Sequence, residues 1–96
     1  MLTGKQKRFL RSKAHHLKPI FQVGKVGVNE NMIVQVNEAL EKRELIKISI
    51  LQNCMDDKET VAEEIQAGTN SEIVQIIGNN IVLYKESEEN KQIELP

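Results

Sequence analysis

The segment Val23-Gly24-Lys25-Val26-Gly27-Val28-Asn29 constrains the fold more than any other stretch of the chain. Ile20, Phe21 and Val23 form a short apolar run behind Pro19, the pattern of a strand. Beyond Asn29, the residues Met32, Ile33, Val36, Ala39 and Leu40 recur with the spacing of one helical face. Gly24 to Asn29 must therefore turn a strand into a helix within a few residues. Glycine lets another backbone approach closely because it carries no Cβ. A corner of this kind directs backbone N–H groups and the positive end of a helix dipole outward, which suits a phosphate. Gly24, Lys25, Val26, Gly27 and Asn29 are accordingly the first candidate anion-binding residues.

The charge distribution points the same way. Lys5, Lys7, Arg8, Arg11, Lys13, Lys18 and Lys25 fall within residues 1–28 without one acid among them, whereas all 14 acids lie beyond, and the net charge is only −1. A chain divided like this offers one face to a polyanion and keeps another acidic. A basic run that served only as a solvated helix face would ordinarily be interspersed with acids.

Taken in order, the 96 residues have the length of one domain with one core. Thr3 and Gln6 have capping-box spacing, which predicts a helix from Gly4 to about His16 with Phe9, Leu10, Ala14 and Leu17 turned inward. Lys7, Arg8, Arg11 and His15 then follow steps of three or four residues and form a basic stripe beside the apolar one. Asn29 is a good N-cap for a second helix running to about Arg43. Leu45 to Leu51, polar only at Lys47 and Ser49, has the composition of a central strand. Asp56 and Glu59 repeat the capping-box spacing before a third helix with Val61, Ala62 and Ile65 on its apolar face, and Gly68 is its expected stop. Glu72–Ile77 and Ile81–Lys85 are expected as a hairpin joined through Gly78-Asn79-Asn80. After residue 85 no apolar pattern is evident, and residues 86–96 are expected to be a loose acidic tail. The fold class is therefore α/β, a single domain of order α-β-α-β-α-β-β. Crossover connections predict strands that run parallel until the final antiparallel hairpin, in a four-stranded mixed sheet packed with three helices.

Several function classes find no support in the residues. The N-terminus is charged where a signal peptide would be apolar, and no run approaches the roughly 20 apolar residues of a membrane span. A cytoplasmic protein is expected. Cys54 is the only cysteine, so neither an internal disulfide nor a cysteine zinc site can form, and its expected role is a small residue at a strand end. His15 and His16 diverge by about 100° on a helix and lack further ligands, so no metal is expected, and no cofactor. The acids are dispersed and no nucleophile-base arrangement is legible, which leaves an enzyme the least supported class.

At this point the motifs form a recognisable set. Leu2-Thr3, Arg11-Ser12-Lys13-Ala14-His15-His16-Leu17-Lys18-Pro19, Val23-Gly24-Lys25-Val26-Gly27, Glu44-Leu45-Ile46-Lys47, Ile76-Ile77-Gly78 and Val82-Leu83-Tyr84 together resemble the CRM domain, above all its small stand-alone bacterial YhbY-type form. The resemblance spans about residues 2–85. It implies a fold similar to the C-terminal domain of the third translation initiation factor, and an RNA-binding role for the G-x-x-G loop. It also implies association with the precursor of the large ribosomal subunit. One residue departs from the pattern: Arg43 stands where the family has a histidine before Glu-Leu-Ile-Lys.

The leading expectation is thus a monomeric module for structured RNA. Lys25 and the amides of Gly24 to Gly27 would hold a phosphate, while Lys5, Lys7, Arg8, Arg11, Lys13, His15 and Lys18 would follow the adjacent backbone. The aromatics are Phe9, Phe21 and Tyr84, the two phenylalanines are expected in the core, and contacts to shape and phosphate should dominate over base stacking. The competing reading is an adaptor whose acidic face docks basic ribosomal proteins. A membrane-surface role is weak, because the first helix needs its few bulky apolar residues for its own core.

Overall fold

A computed structural model describes residues 1–96. Its elements are α1 (Gly4–Ala14), β1 (Phe21–Val23), α2 (Glu30–Arg43), β2 (Leu45–Ile50), α3 (Lys58–Thr69), β3 (Glu72–Ile77) and β4 (Asn80–Tyr84), in the predicted order. The four strands form one sheet in the order β1-β2-β4-β3. β1 pairs parallel to β2, with Val23 opposite Ile50, while β4 runs antiparallel to both β2 and β3. β3 therefore keeps the direction of β2, as a crossover requires, but β4 is inserted between them.

Alternation along β2 sorts its side chains onto two faces. Ile46, Ile48 and Ile50 join Val36 and Leu40 of α2, Val61, Ala62 and Ile65 of α3, and Val23, Ile81 and Leu83 in the larger apolar cluster. Leu45 lies on the opposite face with Leu10 and Ala14 of α1, Val74, Val82, Tyr84 and Ile93. β2 is thus central, as its composition indicated. Each fully buried aliphatic side chain contributes about 1.5–3 kcal/mol, so truncating Ile48, which is fully buried, would damage the fold more than any surface change.

Local signals explain most helix ends. In α1, Thr3 Oγ1 accepts from the Gln6 amide at 3.1 Å and Gln6 Oε1 accepts from the Thr3 amide at 3.0 Å, completing the capping box. The helix stops at Ala14, two residues short of expectation, because the Leu17 amide donates three residues back to the Ala14 carbonyl and tightens the last turn before Pro19. Asn29 Oδ1 caps α2 by accepting from the Met32 amide at 2.9 Å.

The start and stop of α3 differ from expectation. Asp57 rather than Asp56 is the N-cap, accepting from the Thr60 amide at 2.7 Å; two adjacent acids made the spacing ambiguous. Gly68 lies inside the helix instead of ending it, because a Cβ there would stand 2.7 Å from Ile33 Cδ1 on α2. The left-handed residue that ends α3 is Asn70, at φ 55°. The hairpin loop is also shorter than expected, since Asn80 already pairs with Ile77 and leaves Gly78, at φ 57°, and Asn79 as the turn.

The largest departure concerns residues 86–96, which are laid against the domain rather than standing free. The carboxylate of Glu44 is buried and accepts from the amides of Ser87 (2.8 Å), Gln92 (2.6 Å) and Ile93 (2.8 Å). Glu41 accepts from the Ser87 hydroxyl at 2.7 Å and from the amides of Glu88 and Glu89. These bonds seat Ile93 in the α1 cluster, with Leu95 packed against it. Two separated apolar residues are too few to register as a periodic pattern, and Glu41 on α2 and Glu44 at its C-cap supply the acceptors for the tail amides.

Candidate nucleic-acid interface

α1 crosses only part of its sheet face. Beyond Ala14 and Val82 a groove of about 910 Å³ opens between its C-terminal half and the sheet, lined by Arg8, Arg11, Ser12, His15 and His16 on one wall and by Lys47, Gln75, Ile77 and Asn80 on the floor. Lys47 also lines a second hollow of about 150 Å³ that contains Lys18 and Arg43. Neither concavity is lined by a carboxylate. The chain's two ion pairs, Met1 with Glu72 and Lys91 with Glu86, engage none of the seven N-terminal bases. A cationic surface without internal neutralisation is what a polyanion requires.

The basic residues predicted to follow the RNA backbone divide across this surface. Arg8, Arg11 and His15 share the groove wall. Lys13 does not: its ammonium lies 5.4 Å from the centroid of the Phe9 ring, beside Lys91, Gln92 and Glu94 of the tail. Lys5 is exposed and Lys7 half-buried outside the groove lining. Lys18 joins the hollow beside β2. His15 and His16 rings meet edge to face at 5.3 Å.

The glycine corner has fewer free donors than the sequence suggested. The Gly27 amide donates to the Gly24 carbonyl at 3.0 Å, which closes the turn and removes that N–H from any anion. A Cβ on Gly27, at φ 70°, would stand 3.4 Å from Asp56 Oδ2, so a carboxylate already borders the turn. Glu30 occupies the first turn of α2, and Asn29 Oδ1 is committed to its cap. What remains outward is the Lys25 ammonium, the Lys25 and Val26 amides, which make no backbone hydrogen bond, and the Val26 side chain, 86% exposed. The corner stands at the same end of the sheet as the groove mouth, because the Ile50 amide, at the end of β2 opposite Val23, donates to the Asn79 carbonyl at 2.7 Å.

Lys47, His16, Gln75, Asn80 and Arg43 were not among the sequence candidates. Lys47 and Ser49 carried a usable signal, since polar residues facing one side of a central strand mark a part of that face without an apolar cover. Gln75 and Asn80 join them only through the pairing of β3 and β4, which composition does not reveal.

A small α/β domain with an acid-free cationic groove on one sheet face and a glycine turn at the same end belongs to the class of nucleic-acid-binding folds in form. The CRS1 / YhbY (CRM) domain profile matches residues 2–85, and the chain belongs to that family. It is similar along its whole length to the Bacillus subtilis protein named "Probable RNA-binding protein YqeI", 75% identical over 96 residues with both chains fully covered. A Haemophilus influenzae protein named "RNA-binding protein" is 39% identical over 95 residues, covering 99% of this chain and 95% of that one. Among solved structures, the solution structure of the Staphylococcus aureus hypothetical protein SAV1595 is 62% identical and superimposes over the whole of both chains with a TM-score of 0.83. No helix of the chain is long and apolar enough to cross a membrane.

Proposed function

We propose that this chain is an RNA-binding module that grips structured ribosomal RNA and acts, as a cytoplasmic monomer, in assembly of the large ribosomal subunit. The observation that carries RNA binding is the groove beside α1, lined by Arg8, Arg11 and Lys47 and by no acid, in a chain whose net charge is −1. The names of its relatives support the same reading. The ribosomal part rests on the family resemblance.

In this reading Arg8, Arg11 and Lys47 take successive phosphates in the groove, and Lys18 and Arg43 extend the path toward β1. Lys25 and the two outward amides of the glycine turn hold a further phosphate. His15 adds donors at the groove wall, while Lys5, Lys7 and Lys13 act at longer range. Gly24 and Gly27 shape the turn, and Asn29 fixes the start of α2.

Filter binding of folded Lys25→Ala to large-subunit ribosomal RNA, at near-physiological salt, tests the loop; unchanged affinity removes it from the site. Gradient sedimentation tests the role. The protein should travel with large-subunit precursors at low salt and leave them as salt rises, and its confinement to the free pool at low salt would sink the ribosomal assignment.

A further inference from the structure

Cross-strand partners project to the same side of a sheet, so the face under α1 can be followed in rows. Leu45, Tyr84 and Glu72 make the first row, the first two buried beneath the helix and tail and Glu72 half-buried at the sheet edge, paired with the N-terminus. Lys47, Val82 and Gln75 make the second, and Ser49, Asn80 and Ile77 the third. Along this progression the face changes from apolar and covered to polar and open, with Lys47, Gln75 and Asn80 half-buried. The side chains of these three make no hydrogen bond within the chain.

Ile77 breaks the polar trend. It is 54% exposed at the open end of the groove, where water alone would favour a polar residue. An aliphatic ledge flanked by side-chain amides and cations has the composition of a site for a planar, polar-edged, anionic ligand. Asparagine and glutamine amides both donate and accept, and so match the edge of a base. Arg11 and Lys47 supply charge for its phosphates, and His16 a ring beside it.

Resting on the RNA reading above, we infer that the groove holds an unpaired nucleotide. Its base lies against Ile77 and His16, its edge meets Gln75 and Asn80, its own phosphate meets Arg11, and the next phosphate meets Lys47. At about 910 Å³ the groove lies within the ~300–1,000 Å³ range of small-ligand sites, room enough for an unpaired nucleotide. Sequence-dependent RNA recognition generally uses such splayed bases. The protein would accordingly select RNA with a bulge or loop over a plain duplex, a property that phosphate contacts alone do not give.

The test uses the full chain, a short mixed-sequence oligoribonucleotide, and the blunt duplex it forms with its complement, followed by fluorescence anisotropy. Wild type should prefer the single strand. Ile77→Ser and Gln75→Ala, both on edge strand β3 and outside the buried core, should each lower single-strand affinity about fivefold or more while duplex affinity holds, since one removes the apolar ledge under the base and the other leaves a base-edge group unpaired. A 4-thiouridine in the strand should crosslink to the segment 75–82. A wild type without preference, variants that keep it, variants that lose both affinities in parallel, or crosslinks confined to residues 24–27 each overturn the groove assignment. Failure of either RNA to bind in a salt-dependent manner overturns the RNA reading itself, a distinguishable result.

Discussion

Ile33 on α2 and Gly68 on α3 are in such close apposition that a β-carbon added at residue 68 would meet Ile33 Cδ1 at 2.7 Å and both Cγ atoms at 3.0 Å. Gly68→Ala tests the contact with two effects of opposite sign. Alanine in place of a helical glycine is worth about 1 kcal/mol through propensity. Overpacking costs about 1–3 kcal/mol, and the β-branched Ile33 has essentially one χ1 available in a helix with which to yield. The clash should win. A net loss of up to about 2 kcal/mol is expected in urea unfolding, and pairing the change with Ile33→Ala should abolish the part due to the clash.

Glu44 sits at φ 64°, where side chains are rarely found, and its buried carboxylate receives three tail amides. Strain of this kind persists only where surrounding bonds determine it. Glu44→Ala leaves the Ser87, Gln92 and Ile93 amides without their acceptor, so the tail should undock. We expect a loss of about 2 kcal/mol or more, with fast hydrogen exchange appearing first at those three amides. Retained protection at all three would show that Ile93 alone seats the tail.

The same bonds set a pH dependence. Hydrogen bonds from the Ser87 hydroxyl and the Glu88 and Glu89 amides hold the Glu41 carboxyl at about 2, down from its ordinary 4.5. Burial raises the Glu44 carboxyl, but its three amide donors outweigh that, and it too lies below the ordinary value. A depressed carboxyl stabilises the docked tail fully above its unfolded pKa and loses that contribution as pH falls through the folded one. Protection of the Glu88 and Glu89 amides should therefore be flat from neutral pH to about 4.5 and collapse toward pH 2. Loss already near pH 6 would contradict the assignment.

These contacts also show where the sequence is informative. The Thr3–Gln6 capping box, the Asn29 cap and the alternation of β2 are local, and each is recovered at its position, whereas the cap of α3 falls one residue later than read, at Asp57. The docking of the tail depends on Glu41 and Glu44, more than 40 residues from the amides they bind. A non-local bond of that kind leaves no spacing to read. Gly68 carried two physical roles for one residue type, helix stop or close packing, and only the position of Ile33 decides between them. The candidate interface divides likewise: the stripe Arg8, Arg11 and His15 follows from helical periodicity, whereas the floor residues Lys47, Gln75 and Asn80 converge only once β4 is inserted between β2 and β3.

Helical spacing of about 100° per residue turns Lys13 away from Arg8 and Arg11, and the structure shows where it goes. Arg8 and Arg11 face the groove with Lys47, while Lys13 lies over Phe9 on the side taken by the tail. Each phosphate contact contributes about 0.7–0.9 to the slope of log K against log salt. If the groove carries the RNA backbone, alanine at Arg8, Arg11 and Lys47 together should flatten that slope by about two to three units. Lys13→Ala should leave it unchanged. The measurement is a salt titration of RNA affinity for wild type and both variants, with circular dichroism to confirm folding. None of the four side chains belongs to the buried core, so folding should survive. A larger effect from Lys13→Ala than from the triple variant would move the RNA to the tail side of α1, onto the surface where Lys91 and Glu94 lie.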